Sequence, residues 1–304
     1  MPAKRLRFII NPIAGFRRNK SGIIERIHRH FRAHDYDVTT TTRPGDGTRL
    51  AQEAAAQNYD IVVAVGGDGT VNEVASGLVH TNTALGIIPR GSGNGLARAL
   101  GISLRPSESL KILLHGEERV IDAGTAAQRY FFAVTGVGFD AQVGRQFNLA
   151  PWRGPIPYFF IAAREFLTYH PEPLRLNLDA QAFELTPFLI TIANTQQYGN
   201  GAIIAPQARP DDGLLDLCVV ESLSLSHAVK YAPKLFDGTI DRTPIINYRR
   251  VQDLVIEKPG TILFHVDGEA QTCQNRLQVS ILPRALKVVA PPAHAFTPHI
   301  VHAH

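Results

Sequence analysis

The sequence predicts an α/β domain, a parallel sheet with flanking helices, followed by a β-sandwich domain. Three observations lead there. Up to about Asp122, short apolar runs alternate with segments of helical period. Three of those runs end in loops that carry glycine. Beyond Asp122 strand-like runs dominate, parted by Gly and Pro.

Arg5–Ile10 reads as a short strand, followed by the loop Asn11-Pro12-Ile13-Ala14-Gly15. Ser21 suits the start of a helix whose apolar face is Ile23, Ile24, Ile27 and Phe31. Asp37–Thr42 is rich in β formers, and Thr48–Gln57 is alanine-rich and helical. Asp60–Val65 is the continuous apolar run of a strand covered on both faces. After Gly66-Gly67-Asp68-Gly69, the residues Val71, Val74, Ala75 and Leu78 recur at helical spacing. The unit repeats as strand Ala84–Pro89, loop Gly91-Ser92-Gly93 and helix Asn94–Leu100. Repeated strand–loop–helix units give a parallel sheet, with ligands expected at the carboxyl ends of its strands.

In the second half Tyr130–Gly138, Leu174–Leu178, Phe188–Asn194, Leu214–Val220, Leu254–Glu257, Thr261–Val266 and Leu277–Leu282 are strand-like. Tyr158–Tyr169 and His227–Phe236 are the expected helices. Many short strands with such turns suggest a β-sandwich, and a ligand cleft between two domains is the default expectation. Residues 1–128 are assigned to the α/β domain, 129–283 to the sandwich and 296–304 to a frayed tail rich in Pro and His.

Composition narrows the classes. With 304 residues and 44% apolar content the chain can bury a sizeable core. No apolar run reaches the roughly 20 residues of a membrane span, and Met1–Asn11 lacks the features of a signal peptide. Cys218 and Cys273 fit no metal spacing and are read as reduced thiols, which points to the cytoplasm. The net charge of +4 suits phosphate-bearing ligands or anionic lipid. No basic stripe with interleaved aromatics is present, so nucleic acid is not expected as a partner. Arg17, Arg18 and Lys20 lie where they could meet phosphate.

Gly66-Gly67-Asp68-Gly69-Thr70 carries the most chemistry. Glycines between a strand and a helix let the backbone approach a polyphosphate, and the helix N-terminus favours negative charge. An acid there repels phosphate unless it holds Mg²⁺ against it or takes a proton from a hydroxyl, and Asp68 suits either role. Loops Asn11–Gly15 and Gly91-Ser92-Gly93-Asn94-Gly95 end equivalent strands, so all three should converge on one edge. A nucleotide polyphosphate is the economical ligand. There is no Gly-x-x-x-x-Gly-Lys-Ser/Thr and no Gly-x-Ser-x-Gly elbow. Gly136-Val137-Gly138-Phe139-Asp140-Ala141 formally matches a dinucleotide fingerprint, but no helical pattern is evident after it and a β-turn is expected. Asp267-Gly268-Glu269 ends a strand with two neighbouring acids, each raising the other's proton affinity. Pro151-Trp152-Arg153-Gly154-Pro155 and Tyr158-Phe159-Phe160 suit a transient membrane surface, while Phe159, Phe160, Ala163 and Leu167 also suit the core face of a helix.

Taken together the motifs resemble those of the diacylglycerol kinase catalytic family, which includes bacterial lipid kinases and is related to sphingosine and ceramide kinases. The similar positions are Asn11, Pro12 and Gly15; Thr42 with Gly45 and Asp46; Gly66–Thr70 with Asn72 and Glu73; and Pro89, Gly91 and Asn94. They continue through Asp122, Gly136–Asp140, Asp211–Asp216 and Val266–Glu269. The resemblance implies a fold like that of NAD kinase and diacylglycerol kinase, with 284–295 returning to the first domain. It implies a lipid kinase that moves the γ-phosphate of ATP to a lipid hydroxyl, on diacylglycerol or a sphingoid acceptor, with Mg²⁺. ATP is then expected on Asn11, Pro12, Ile13, Ala14, Gly15, Thr42, Gly66, Gly67, Asp68, Gly69, Thr70, Asn72, Glu73, Ser92 and Asn94. A structural Mg²⁺ is expected on the Asp212 carboxylate and the backbone carbonyls of Arg209 and Leu214. Asp68 is expected to hold the nucleotide's Mg²⁺, with Asp122 as a further ligand. Glu269 is the expected proton acceptor, with Asp267 and Asp68 as alternatives.

Family members often carry Asp where this chain has Gly95, whereas Gly91-Ser92-Gly93-Asn94 is similar to the loop of sphingosine kinases. The expected setting is a peripheral membrane enzyme of the cytoplasm, able to form a homodimer. Two other readings stand beside it. One is a kinase for a soluble acceptor such as NAD; the other is a non-catalytic lipid- or nucleotide-binding regulator.

Overall fold

The computed structural model describes residues 4–14, 20–150, 154–179 and 181–292. Expectations placed on Gly15, Arg17, Arg18, Pro151, Trp152, Arg153 and 296–304 lie outside the described residues, as do the side chains of Lys20, Pro155 and Phe159. The chain forms two compact units. One takes the chain up to Ile121 and the segment from Arg284; the other is Asp122–Pro283.

The first unit contains β1 (Arg5–Ile10), α1 (Lys20–Phe31), β2 (Asp35–Thr40), α2 (Asp46–Ala56), β3 (Ile61–Gly66), α3 (Asp68–Leu78), β4 (Ala84–Pro89), α4 (Gly95–Ala99) and α5 (Pro106–His115). The strands run parallel in the order β4-β3-β1-β2. All six residues of β3 and of β4 are buried, which is why their sequences are apolar throughout rather than alternating. Ile23, Ile27 and Phe31 of α1 and Leu110 and Leu113 of α5 join Phe8, Val63 and Ile88 in one core. Phe31 is fully buried and meets the rings of Phe8, His34 and Tyr36 edge-on. α1 opens at Lys20, so Ser21 lies inside its first turn instead of preceding it.

β5 (Glu117–Ala126) carries the chain onward to β6 (Arg129–Phe131), β7 (Val134–Gly138), α6 (Phe139–Leu149), α7 (Pro155–Thr168), β8 (Leu174–Leu178), β9 (Gln181–Leu185), β10 (Leu189–Ala193), β11 (Gln197–Gly199), β12 (Ala202–Ile203) and β13 (Leu215–Val220). There follow α8 (Leu225–Tyr231), α9 (Lys234–Asp237), β14 (Asn247–Val251), β15 (Asp253–Val266) and β16 (Glu269–Ala290). Antiparallel pairing runs β14-β13-β10-β7-β15, and β15 also pairs with β8 and, as a long hairpin, with β16. Alternate residues of these strands, among them Ile190, Ile192, Leu217, Ile256, Phe264 and Val279, fill the sandwich core. On the opposite face Phe139, Phe166, Tyr169 and Phe188 pack with Cys218 and Tyr248. Cys218 and Cys273 are both free thiols. The far end of β16 belongs to the first unit, where Val288 lies opposite Leu85 of β4.

Five expectations are corrected. Tyr130–Gly138 is two strands, because the amides of Phe132 and Ala133 between them turn to a carboxylate instead of a ladder. Leu254–Glu257 and Thr261–Val266 are one strand, irregular in register between Glu257 and Thr261 around Pro259. A helix, α6, does follow Gly138; its buried face is partly Ala141 and Gly144, small residues that dilute the hydrophobic period. On α7, Phe160 and Leu167 are 72% and 75% exposed, and Ile161 and Glu165 are buried instead. The core-face reading of Phe160 and Leu167 therefore fails. Pro233 divides the expected His227–Phe236 helix into α8 and α9. Among the described residues no helix is long and apolar enough to cross a membrane.

Because Phe31 anchors α1 to the sheet, Phe31→Ala is expected to cost about 3–5 kcal/mol of stability. Denaturant unfolding followed by circular dichroism checks this; a loss below about 1 kcal/mol would contradict that anchoring.

Candidate functional site

In the first unit the parallel register sets three strand ends level. Ile10 lies opposite Val65, and Gly66 opposite Pro89. The chain continues the ladder one step beyond each: Asn11 N–H donates to the Val65 carbonyl at 3.0 Å, and Arg90 N–H to the Gly66 carbonyl at 2.7 Å. The loops after β1, β3 and β4 are thereby held side by side. Asn11 donates its side-chain N–H to Thr70 Oγ1 at 2.9 Å and accepts the Ile13 N–H at 3.1 Å, which curls its own loop. Gly67 and Gly91 face each other so closely that a Cβ on Gly91 would lie 2.6 Å from Gly67 Cα. Only glycine permits that approach.

Asp68 locks the approach. Its Oδ2 accepts the Asn94 N–H at 2.8 Å and its Oδ1 the Gly95 N–H at 2.7 Å. Asn94, in a left-handed conformation, closes the second loop from inside by exchanging hydrogen bonds with Gly91 at 2.9 and 2.8 Å. Arg98 reaches the same loop, donating from Nε to the Gly93 carbonyl at 3.0 Å. Burial lowers the pKa of this guanidinium, and the charge of Asp68 opposes that shift. Sequence reasoning missed Arg98; its one signal is a cation one helical turn after Asn94. The first α3 bond closes from Val71 N–H to the Gly67 carbonyl, so the amides of Gly69 and Thr70 precede the helical ladder and face the loop end.

Two further predicted residues shape the rim. Thr42 donates through both its hydroxyl and its amide to Asp46 Oδ2, at 2.7 and 2.8 Å, and Arg43 N–H adds a bond at 3.1 Å. These donors, the Thr42 hydroxyl foremost, hold the Asp46 carboxyl well below the usual carboxylate range. Glu73 caps the start of α2 by accepting the N–H groups of Gly45 and Gly47 at 2.8 and 2.9 Å. Its carboxylate therefore positions the Thr42–Gly47 turn. Asn72 accepts from Ser76 at 3.5 Å. Ile13 projects with 78% exposure, and Ser92 lies at the partly exposed tip of its loop.

In the second unit the β15–β16 hairpin turns through Asp267 and Gly268, both at positive φ (48° and 86°), and Val266 pairs with Glu269. That is the primed turn which Asp-Gly favours. The Asp267 carboxylate accepts three main-chain N–H groups, from Phe132, Ala133 and Val134, at 2.9–3.0 Å. Asp267 thus ties the hairpin tip to the start of β7, and Glu269 is the exposed acid beside it. Beneath the turn, the buried His265 pairs with the partly buried Asp140 at 3.2 Å, a pair that sequence reasoning did not assign.

The turn at 209–216 gathers acids. Asp122, 1% exposed, accepts the Gly213 N–H at 2.7 Å, and its own N–H donates to the Pro210 carbonyl. Asp212 accepts the Leu214 N–H at 3.2 Å, and Arg209 pairs with Asp211. Asp216 is fully buried and bonded to the Tyr248 hydroxyl through Oδ1, while its Oδ2 accepts nothing from the described residues. Burial pushes the Asp216 carboxyl up, and the charge of Asp212 adds to that. Among the described residues no three His, Cys, Asp or Glu side chains are grouped as a metal centre. A cation here would rest on one carboxylate and main-chain oxygens, and the unmet Asp216 oxygen beside Asp212 fits such a charge.

Residues 5–126 match the family model of the diacylglycerol kinase catalytic domain, and residues 133–290 match that of the YegS C-terminal NAD kinase beta sandwich-like domain. The chain is 32% identical over 273 residues to a probable lipid kinase YegS-like protein of Chromohalobacter salexigens, covering 88% of this chain and 87% of that protein. It is 32% identical over 256 residues to a diacylglycerol kinase of Mycobacterium tuberculosis, covering 81% and 82% of the two chains. A crystal structure of a diacylglycerol kinase from Bacillus anthracis shares the fold, with TM-score 0.74 and 23% identity over 96% of this chain and 99% of that one. So does an NAD kinase from Archaeoglobus fulgidus in complex with ATP, with TM-score 0.54 and 11% identity over 93% of each chain.

Gly91→Ala is expected to part the two loops and cost about 1–3 kcal/mol of stability, read by urea unfolding. An unchanged urea midpoint would show that the close approach is not needed. Because its folded pKa is depressed, Asp46 stabilises the protein above the ordinary carboxylate range, and that contribution fades as pH falls through the folded value. Asp46→Asn should accordingly flatten the acid limb of the urea midpoint against pH. An acid limb identical to wild type would remove Asp46 from that role.

Proposed function

Because the chain belongs to the kinase family that joins a diacylglycerol kinase catalytic domain to a YegS-type β-sandwich, we propose that it transfers the γ-phosphate of ATP to a lipid hydroxyl. The observation that carries this reading is the convergence of three loops, locked by Asp68 across the Gly67–Gly91 approach. Glycine backbone, the N-terminus of α3 and the Arg98 guanidinium supply the surroundings that a polyphosphate needs. Glu73 and the Thr42–Asp46 pair fix the neighbouring turn, so their part is to position and not to touch phosphate.

Asp68, whose two oxygens accept the Asn94 and Gly95 amides at the start of α4, is the carboxylate that would hold the nucleotide's magnesium ion or its bound water. A second ion would rest on Asp212 and the carbonyls of Arg209 and Leu214. Bound magnesium would neutralise phosphate charge at the first place and brace a turn at the other. The acceptor's proton passes to the Glu269 carboxylate as its oxygen attacks the γ-phosphorus and ADP leaves. Asp267, with three main-chain donors on its carboxylate, holds the hairpin that presents Glu269.

A lipid acceptor is supported by the names of the relatives and by exposed apolar side chains. Leu149, Phe160 and Leu167 are 73%, 72% and 75% exposed on or beside α6 and α7. Apolar side chains this open to water suit contact with the membrane that holds the acceptor.

Purified protein with labelled ATP, Mg²⁺ and a panel of diacylglycerols, sphingoid bases and NAD tests the proposal. Phosphorylated lipid is expected. Product from NAD alone would transfer the reading to a soluble acceptor. Glu269→Gln should lower kcat by about 10²–10⁴-fold, and Asp68→Ala should abolish turnover without unfolding; wild-type turnover in either would refute the role given to it. Phe160→Glu with Leu167→Glu should weaken sedimentation with anionic vesicles while a detergent-dispersed lipid is still phosphorylated. Undiminished sedimentation would remove this face from the membrane contact.

A further inference from the structure

The turn that carries Glu269 rests on a buried histidine. His265 stands in β15 two residues before the turn and is 3% exposed. The main-chain N–H of Gly268 donates to its Nδ1 at 3.3 Å. An N–H aimed at Nδ1 requires a bare nitrogen there, so the ring's proton sits on Nε2. Nε2 faces Asp140 Oδ2 at 3.2 Å. The same oxygen accepts from Thr191 Oγ1 at 3.1 Å and the Tyr198 hydroxyl at 3.3 Å, and Asp140 Oδ1 takes the Ala141 N–H at 2.7 Å. The two hydroxyls also bond each other, so Asp140 gathers the Ala141 N–H, one proton from the Thr191–Tyr198 pair and the imidazole at the first turn of α6.

This arrangement divides the turn between two supports. The Asp267 side chain holds one central residue to the start of β7, and the His265 ring holds the other, Gly268. The backbone of His265 is fixed as well, since the Thr135 hydroxyl donates to its carbonyl at 2.5 Å. Glu269 follows directly and is itself exposed, so the turn decides where its carboxylate sits.

We propose that His265, oriented by Asp140, is a positioning residue for Glu269, acting through the Gly268 peptide. The inference rests on the kinase reading in its functional part alone; the tie itself is structural. Removing it leaves substrates able to bind but the proton acceptor poorly placed, an effect confined to kcat.

The experiment compares His265→Asn, His265→Gln and His265→Phe with wild type, using kinetics on the best lipid acceptor and hydrogen exchange at Gly268 and Glu269. An Asn oxygen lies near the Nδ1 position and can still accept from Gly268, whereas a Gln amide reaches the Nε2 position. His265→Phe and His265→Gln are expected to lose about 10- to 100-fold in kcat, with KM for lipid and ATP within about twofold and faster exchange at Gly268. His265→Asn should recover part of the loss. Nitrogen-15 spectra of the wild-type ring should show Nδ1 bare and Nε2 protonated. A ring protonated on Nδ1, wild-type kcat in His265→Phe, or Gln rescuing better than Asn would overturn the proposal. If His265→Phe does not fold, the Asn–Gln order and the ring spectrum decide. A wild-type chain inactive on every lipid and on NAD would defeat the kinase reading, and ring spectrum and amide exchange would still judge the tie.

Discussion

The first unit depends on one carboxylate between two helix-opening loops. Asp68 opens α3 and accepts the amides that open α4, so one side chain fixes the distance between two strand ends. The bond works only because Gly67 and Gly91 let the backbones approach that closely. A charge placed there is costly unless it is satisfied. Two main-chain donors and the nearby Arg98 guanidinium meet that requirement. The glycines and the acid of this motif therefore form one device. The glycines bring the loops together, and the acid keeps them from separating.

The same economy recurs wherever an acid sits at a turn. Glu73 takes two amides of the α2 start, Asp46 takes the hydroxyl and amide of Thr42, Asp122 takes Gly213 and Asp267 takes three amides before β7. All but Asp46, which closes its own turn, tie a loop to an element distant in sequence. An ionised acceptor makes stronger bonds to N–H groups than a neutral one, so a carboxylate is well suited to gather several of them. Loops held in this way need no large apolar core of their own and can stay near water, where ligands arrive.

How far the sequence could be read follows from this. The α/β order, the three converging loops and the β-rich second half were legible because they rest on local periods and on glycine spacing. The positions of Phe160 and Leu167 were not. Their spacing suits a buried stripe, but α7 turns Ile161, Glu165 and Phe166 inward, and which face is covered depends on the partners Phe139 and Phe188. The helix after Gly138 was missed because Ala141 and Gly144 carry little hydrophobic signal while packing closely. Arg98 and His265 escaped for another reason. A lone Arg in a short helix, or a lone His in an apolar strand, has no partner visible along the chain. Gly93 is five residues from Arg98 and opens no motif of its own, and Asp140 is 125 residues from His265.

That separation also bears on which acid can act as the proton acceptor. The resemblance puts Glu269 first, with Asp267 and Asp68 as alternatives. The fold separates them further, because the oxygens of Asp68 and Asp267 hold main-chain amides whose loss would release a loop or a hairpin tip. A group that must change its bonding in every turnover is poorly chosen if the backbone hangs from it. Glu269 stands at the exposed end of a strand whose turn is braced by Asp267 on one side and by His265 on the other. The proposed transfer of a proton to Glu269 then leaves the main-chain bonds of Asp68 and Asp267 in place.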